Sequence, residues 1–460
     1  MKKALSILFA LMILINLTVA GKVSAISFTP NEPIYSDSAV LYNIDTETVV
    51  YKKKSDVRKN PVQLVQIMTA IVTMEKKKDL NEMVTVPGQI FEEFEQYRTK
   101  YPTDEYSYNE TNLCGIEADE ELKIESLLYC MLLGSSSDAA STLAYYVGEG
   151  SIENFVNMMN ETAKKIGAKD TCFTNPHGLY DENQYSTAND MLLITNYALK
   201  IPGFSEIVSK TNYNTGSTNM RSEGIEVKNA NVMMFASSEY FYAGTSGIKT
   251  GKSNQSGRCL ITRATKDGSN YLVVLMESPL ELSPGEESFT HIEDATMLFT
   301  WAFENIKYQV IVQSTEEIDT VKVNYAKGDN HLNLKAANDV SYMWLNTYDT
   351  ASIDKSDIKY VYSELNAPIK AGTKLGEVTL KFQGNEIGKV DLVAYYDCEL
   401  STLKYGMAVV KSFFTSDVFH KSIKIATFLS VIYLFLVLYT INKRAKRRRE
   451  RRMAQNRSSK

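Results

Sequence analysis

The spacing of apolar and polar positions changes period along the chain. Residues 38–53, SAVLYNIDTETVVYKK, place two β-rich runs around Asp45-Thr46-Glu47, the pattern of a hairpin. From Leu64 to Lys76 the apolar residues recur at helical spacing, and Pro61 just ahead suits a first helical turn. A long helical region, Ile124 to Val147, is interrupted at GSSSDAA. Residues 152–167 predict an amphipathic helix ending at Gly167, and Thr187 to Leu199 another, with Pro202-Gly203 after it. Then the period drops to two. GTSGIKTGKS, GRCLITRAT and NYLVVLMES read as strands, with a tight turn at Lys266-Asp267-Gly268-Ser269, and a helix over 291–305 follows. From about 308 to 398 the runs are short and β-like (YQVIVQ, DTVKVNY, IKYVYSE, Leu375 to Phe382, KVDLVAYYD). The pattern predicts a helical cluster against an antiparallel sheet, then a separate small β domain.

Both ends carry signals of another kind. Lys2-Lys3, an apolar run from Ala4 to Ala20 and the small-x-small tripeptide Val23-Ser24-Ala25 make a secretory leader over residues 1–25. Left uncleaved it would be an anchor, and export follows in both cases. Ile425 to Ile441 is free of charge over 17 residues, near the lower limit for a bilayer span. The tail from Lys443 to Lys460 has ten Lys/Arg and one Glu, a net +9. A basic cluster beside an apolar span belongs on the cytoplasmic side, with anionic lipid as its partner. Residues 401–424 are expected to be an amphipathic juxtamembrane linker, 425–441 the span, and 442–460 the cytoplasmic tail.

The rest of the chain is acidic. With the +9 tail and the +3 leader set aside from a total of −5, residues 26–442 carry −17, which argues against nucleic acid as a partner. The five cysteines, Cys114, Cys130, Cys172, Cys259 and Cys398, include no pair at metal-ligand spacing, and sequence assigns no bridge among them. The four histidines, His177, His291, His331 and His420, are far apart in sequence, so no metal or cofactor is expected.

Four segments, in order, carry a family resemblance. They are Arg58-Lys59-Asn60-Pro61 leading to Ile67-Met68-Thr69-Ala70; Leu132-Leu133-Gly134-Ser135-Ser136-Ser137-Asp138-Ala139-Ala140; Asn175-Pro176-His177-Gly178-Leu179 with Tyr185-Ser186-Thr187-Ala188; and Gly247-Ile248-Lys249-Thr250-Gly251. Together with the leader, the trailing β domain and the C-terminal anchor, they make the chain resemble the D-alanyl-D-alanine carboxypeptidases, the low-molecular-weight penicillin-binding proteins. The resemblance covers roughly residues 35–400. It implies an α/β (α+β) penicillin-binding-protein/β-lactamase-like domain over 26–306 and a small β-sandwich domain over 307–400.

The family motifs are Ser-x-x-Lys, Ser-x-Asn and Lys-Thr-Gly. A serine at a helix start attacks a carbonyl, and a lysine one turn later takes its proton. Here the resemblance puts Gln63 in the serine position and Gln66 in the lysine position. An amide is not a useful nucleophile, and it does not titrate. Ser137 stands where the family has asparagine, and Ser135 opens that motif. Only Lys249-Thr250-Gly251 is intact; with Lys252 it is the expected substrate-binding set. The resemblance also places a backbone oxyanion hole at the N–H groups of Gln63 and Lys252, which side-chain loss would leave in place. Ser356-x-x-Lys359 and Ser401-x-x-Lys404 also match the first motif, but in or after the β domain. Ser135 is the better-placed alternative nucleophile, though sequence offers it no lysine.

The implied function is a catalytically inactive or impaired carboxypeptidase homologue at the outer membrane face, binding peptidoglycan stem peptides or a cell-wall enzyme. Two alternatives stand beside it: an active serine carboxypeptidase with a relocated nucleophile, and a structural partner of a cell-wall complex with an empty cleft.

Overall fold

The computed structural model describes residues 28–30, 32–101 and 113–457. The predicted leader lies outside the described residues, as does the end of the basic tail.

The N-terminal hairpin forms from β1 (Ser38–Asn43) and β2 (Thr48–Lys53). Pro61 leads into a 3-10 turn, Val62–Val65, which runs directly into helix α1 (Gln66–Lys76). Next come β3 (Met83–Thr85), α2 (Gln89–Lys100) and β4 (Glu121–Lys123), with β3 and β4 paired. Helix α2 was not legible in the sequence: it buries only Ile90 and Phe94, too few apolar positions to draw a stripe. The region from Ile124 breaks where GSSSDAA interrupts it, into α3 (Ile124–Gly134) and α4 (Ser137–Val147). Ser135 makes the break in a left-handed conformation, φ 61°. Helix α5 (Ile152–Ile166) starts with the Ser151 side chain accepting the Asn154 N–H and ends at left-handed Gly167, φ 98°. Helix α6 (Ala188–Ala198) is capped in the same way by Thr187. A short α7 (Phe204–Val208) and the paired strands β5 (Asn212–Asn214) and β6 (Glu226–Lys228) lead to β7 (Thr245–Ser253), β8 (Gly257–Lys266) and β9 (Ser269–Ser278).

The main sheet is antiparallel, in the order β2-β1-β9-β8-β7. Its register sets Val40 opposite Val274 and Lys249 opposite Ile261. Six consecutive residues of β9, Tyr271–Met276, are buried, because both faces of the sheet are covered. Val40, Leu272, Val274 and Met276 join the core of the helical cluster with Ile67, Met68, Ile71 and Leu128. After the ribbon β10 (Glu281–Ser283) and β11 (Glu286–Glu287), helix α8 (Thr290–Asn305) packs on β8 and β9, with Phe303 edge-on to Tyr271 at 5.1 Å. A central sheet between helical layers holds β7 beside the start of α1, the contact on which the site is built.

The chain divides into two compact units: Met1–Ile311 with Ser341–Asp354 and Lys381–Gly388, and Val312–Val340 with Lys355–Leu380 and Lys389–Lys460. Strands β12 (Ile306–Val312), β13 (Glu317–Lys322), β14 (His331–Ala336), β15 (Val340–Leu345), β16 (Asp354–Tyr360), β17 (Lys374–Phe382) and β18 (Asn385–Ala394) follow. Five of them form a sheet in the order β13-β14-β18-β17-β16, and β12 pairs with β15. Strands β14 and β15 were not predicted. The chain ends in α9 (Thr402–Thr415) and a 41-residue helix α10 (Asp417–Arg457). Helix α10 overruns the expected span at both ends, since the flanking Lys, Arg and Glu are good helix formers.

Candidate functional site

The loop Asn175–Leu179 holds the start of α1. The Asn60 side chain accepts the Val62 N–H at 3.0 Å, and its amide donates to the Asp181 carbonyl at 2.8 Å. Asn175 accepts the Gly178 N–H at 2.7 Å, and the Thr69 hydroxyl donates to the Pro176 carbonyl at 2.6 Å. Gly178, φ 87°, is required here: a Cβ would lie 2.4 Å from the Val62 oxygen. On the other side β7 closes in. A Cβ on Gly251 would lie 2.6 Å from Val62 Cγ2 and 3.0 Å from both the Gln63 N and Oε1. Two glycines thus let two backbones crowd one residue, Gln63.

Gln63 is 1% exposed. Its Oε1 accepts the Lys252 N–H at 2.8 Å, and its Nε2 donates to the Gly178 carbonyl at 3.4 Å. This corrects the expectation that side-chain loss leaves both backbone oxyanion donors in place: the Lys252 N–H is in use, taken by the side chain at the position the resemblance assigns to the nucleophile. Gln66 is fully buried, and its Nε2 donates to the Ser135 carbonyl at 3.2 Å and the His177 carbonyl at 2.9 Å. Its Oε1 is buried without a hydrogen-bond partner. An amide has only two N–H donors, and it brings an acceptor the pocket does not pair.

The opposite wall differs. Lys249 is 2% exposed, a buried group and not a surface strand lysine. Its ammonium donates to Ser135 Oγ and, at 3.3 Å, to the Leu132 carbonyl. Ser135 therefore has a lysine after all, supplied from β7 and 114 residues away in sequence. Burial alone pushes the Lys249 pKa down to about 7. Ser137 sits at the first position of α4 with its hydroxyl buried and unpartnered. Gln63, Gln66, Ser135, Ser137 and Lys249 are thus all buried.

A cavity of ≈ 310 Å³ opens between these walls. Gln63, Ser135, Thr250, Gly251 and Lys252 line it, while Lys249, Gln66 and Ser137 do not. Arg258 and His291 also line it, and sequence reasoning missed both. Arg258 is the one charge inside GRCLITRAT before its second arginine, a polar break in a buried strand that could have flagged it. Its guanidinium pairs with Glu287 and lies 4.9 Å over the Phe289 ring, while its Nε has no hydrogen-bond partner. Burial, then Arg258 and Lys252, push the His291 pKa down to about 3, so this imidazole is neutral at physiological pH. Among the described residues, no group of three or more His, Cys, Asp or Glu side chains is placed to hold a metal ion.

The two loose motif matches lie elsewhere. Ser401 caps α9, and Lys404 donates to the Ala326 and Gly328 carbonyls and to Asn330. Ser356 and Lys359 lie on strand β16, where residues three apart face opposite sides.

The sequence profile of the D-alanyl-D-alanine carboxypeptidase family, peptidase S11, matches residues 25–279. The chain belongs to this family. The profile of the penicillin-binding protein 5 C-terminal domain matches residues 307–399. The D-alanyl-D-alanine carboxypeptidase DacF of Bacillus subtilis is 27% identical over 365 residues, spanning 78% of this chain and 85% of that protein. DacD of Escherichia coli, also a D-alanyl-D-alanine carboxypeptidase, is 25% identical, spanning 85% of this chain and 94% of that one. The crystal structure of DacD from Francisella tularensis superposes with a TM-score of 0.58 at 22% identity, covering 84% of this chain and 99% of that one, and establishes the fold. Within this fold, Gly178 and Gly251 let β7 come against the start of α1, and an amide fills the space between them.

Proposed function

We propose that this chain is a membrane-anchored, extracytoplasmic carboxypeptidase homologue that has given up acyl transfer and acts by binding. The bond from the Lys252 N–H to Gln63 Oε1, 2.8 Å, carries the proposal. Acyl transfer needs a nucleophile, a base and free donors for the oxyanion. Gln63 removes the first and occupies one of the third; Gln66 removes the second. What remains is a cavity of ≈ 310 Å³ with Thr250, Lys252 and Arg258 on its wall, suited to an anionic group such as the terminal carboxylate of a stem peptide. A cell-wall enzyme is the other partner class. The helix Asp417–Met453 includes an 18-residue stretch of mean hydropathy 2.0, long and apolar enough for a membrane span, and the basic residues at its C-terminal end favour a cytoplasmic C-terminus near anionic lipid.

The test is incubation of the ectodomain with a penicillin, followed by mass spectrometry, with calorimetry of a D-Ala-D-Ala stem peptide alongside. No adduct is expected, and Arg258→Ala is expected to weaken peptide binding about tenfold, the worth of one charge-assisted hydrogen bond. Peptide affinity unchanged by Arg258→Ala would remove the cavity as the binding site. Absence of both adduct and binding would leave the structural-partner reading.

The Lys249–Ser135 contact favours a second reading. A serine hydroxyl that accepts from a lysine with pKa about 7 has the makings of a nucleophile and base, and Ser135 lines the cavity. A stoichiometric penicilloyl adduct on Ser135, lost in Ser135→Ala, would establish it and overturn the non-catalytic proposal.

A further inference from the structure

We propose that the outer face of helix α8, together with loop 239–241, is a docking groove for a short extended segment of a protein partner that carries lysine or arginine at both ends. The proposal rests on the reading that this chain acts by binding, and it assigns a chemistry to the protein partner. A cavity of ≈ 560 Å³ lies along this face. The helix packs its other face inward, where Ala295, Leu298, Phe299 and Ala302 are fully buried. Glu293, Met297, Trp301 and Glu304 recur at helical spacing on the outer side and line the cavity. Tyr240 and Phe241 complete the apolar lining. Tyr240 is stacked on Phe289 at 5.0 Å, and Phe289 carries the Arg258 guanidinium. Ile292 lines both this cavity and the one at Gln63, so the groove backs onto the wall of the cleft.

Three features name the occupant. The first is an unpaired acidic rim. Glu32, Glu239, Glu293 and Glu304 line the cavity and are exposed, no Lys or Arg lines it, and among the described residues none of the four is in an ion pair. Glu287, close by, is by contrast taken up by Arg258. Such a rim attracts a cation, and an aromatic lining accepts the aliphatic stem of lysine or the plane of arginine. The second is Trp301. It is 9% exposed and lines the cavity, and its indole N–H, a donor only, has no hydrogen-bond acceptor among the described residues. A lone donor in an apolar lining calls for a carbonyl, which a peptide backbone supplies and a simple amine does not. The third is spacing. Glu293 and Glu304 stand about 16 Å apart along the helix axis, and an extended segment covers about 14 Å between its first and fifth residues, with the side chains reaching further. The basic tail of this chain is not the occupant, because the topology proposed above puts it on the other side of the bilayer.

The experiment uses the full chain in nanodiscs of neutral lipid and a labelled probe, acetyl-Lys-Leu-Gln-Leu-Lys-amide, read by fluorescence polarisation at low salt. Both ends of the probe are blocked, so it brings no carboxylate to the cleft. The counterpart with glutamine in place of both lysines is expected to bind more weakly, and added salt to weaken the lysine probe further. Glu293→Gln with Glu304→Gln, both at exposed positions, is expected to weaken the lysine probe about fivefold, the worth of two exposed ion pairs. Trp301→Phe keeps a ring and loses the donor, and a loss of about threefold is expected. Affinity for a D-Ala-D-Ala stem peptide is expected to be unchanged in the glutamine variant, and affinity for the lysine probe unchanged in Arg258→Ala. The two sites therefore fail separately. No binding of the lysine probe to the wild type, equal binding of the glutamine probe, or equal affinity in the Glu293→Gln, Glu304→Gln variant would overturn the groove and leave the cleft reading standing. Loss of the lysine probe in Arg258→Ala would place it in the cleft and overturn the groove as its site.

Discussion

The two walls of the cleft have been treated differently. On the helix wall, Gln63 and Gln66 stand at the positions to which the resemblance assigns nucleophile and base, and both amides are absorbed into backbone hydrogen bonding. On the strand wall, Lys249 and Ser135 keep a charge-bearing contact in a buried setting. The backbone between them is held by close approach at Gly178 and Gly251, which leaves no room for a side chain. Packing and chemistry are therefore separable here. A frame built on glycine contacts accommodates amides at 63 and 66, because an amide can satisfy the carbonyls and N–H groups that surround it.

The largest test restores the helix wall. Gln63→Ser alone leaves the hydroxyl without a lysine one turn away, and little acylation by penicillin is expected. Gln63→Ser with Gln66→Lys should raise the acylation rate about 10²–10⁴-fold over the single variant, the usual worth of a general base. Stopped-flow or timed mass spectrometry reads it. Equal rates in the two variants would mean that Lys249, through Ser135, already serves as the base, and the contrast between the walls would fail. Adding Ser137→Asn is expected to cost about 1–3 kcal/mol of stability, because the larger amide must fit where the Ser137 hydroxyl is fully enclosed.

Next in size is Gln66→Leu. It removes an unpaired buried oxygen but strands the Ser135 and His177 carbonyls, so a net loss of about 1–3 kcal/mol is expected in urea unfolding. A gain in stability would show that the orphaned Oε1 outweighs both bonds.

The strand wall is probed by pH. Lys249 is pushed down from its ordinary 10.5 to about 7 in the folded chain. Between these values the unfolded state binds more protons, so stability rises with pH from about 7 towards 10.5, and the full cost of a buried ammonium is present below about 7. Relative to Lys249→Met, the wild type should gain about 1–2 kcal/mol between pH 7 and 8.5. Parallel profiles for the two proteins would mean that the ammonium is hydrated and stays charged.

The smallest effect is expected from Gln63→Ala. Loss of one neutral bond costs about 0.5–1.5 kcal/mol, offset in part when water reaches the cavity. Its signature is local: the Lys252 amide should exchange with solvent faster, read by hydrogen exchange. Unchanged exchange would mean that Gln63 does not hold that donor.

Much of the frame was legible in the residues. The Asp45-Thr46-Glu47 hairpin, the break at Ser135-Ser136-Ser137, the stop at Gly167 and the strands from Thr245 to Ser278 all follow from period, turn chemistry and caps, which act within a few residues. Helix α2 was not, because its packing uses two side chains. Neither were β14 and β15.

By itself the sequence determined the order of motifs, the amides at 63 and 66, and with them the absence of a serine and a lysine at those positions. It could not say where those amides point. Only the tertiary structure decided that the Lys252 N–H belongs to Gln63, that Ser135 takes its lysine from β7, and that Arg258 and His291 enter the cavity. The reason is range. Periodicity and capping are set by neighbours along the chain, whereas a hydrogen bond spanning 189 residues, like that from Lys252 to Gln63, exists only once sheet and helix have packed and fixed both partners.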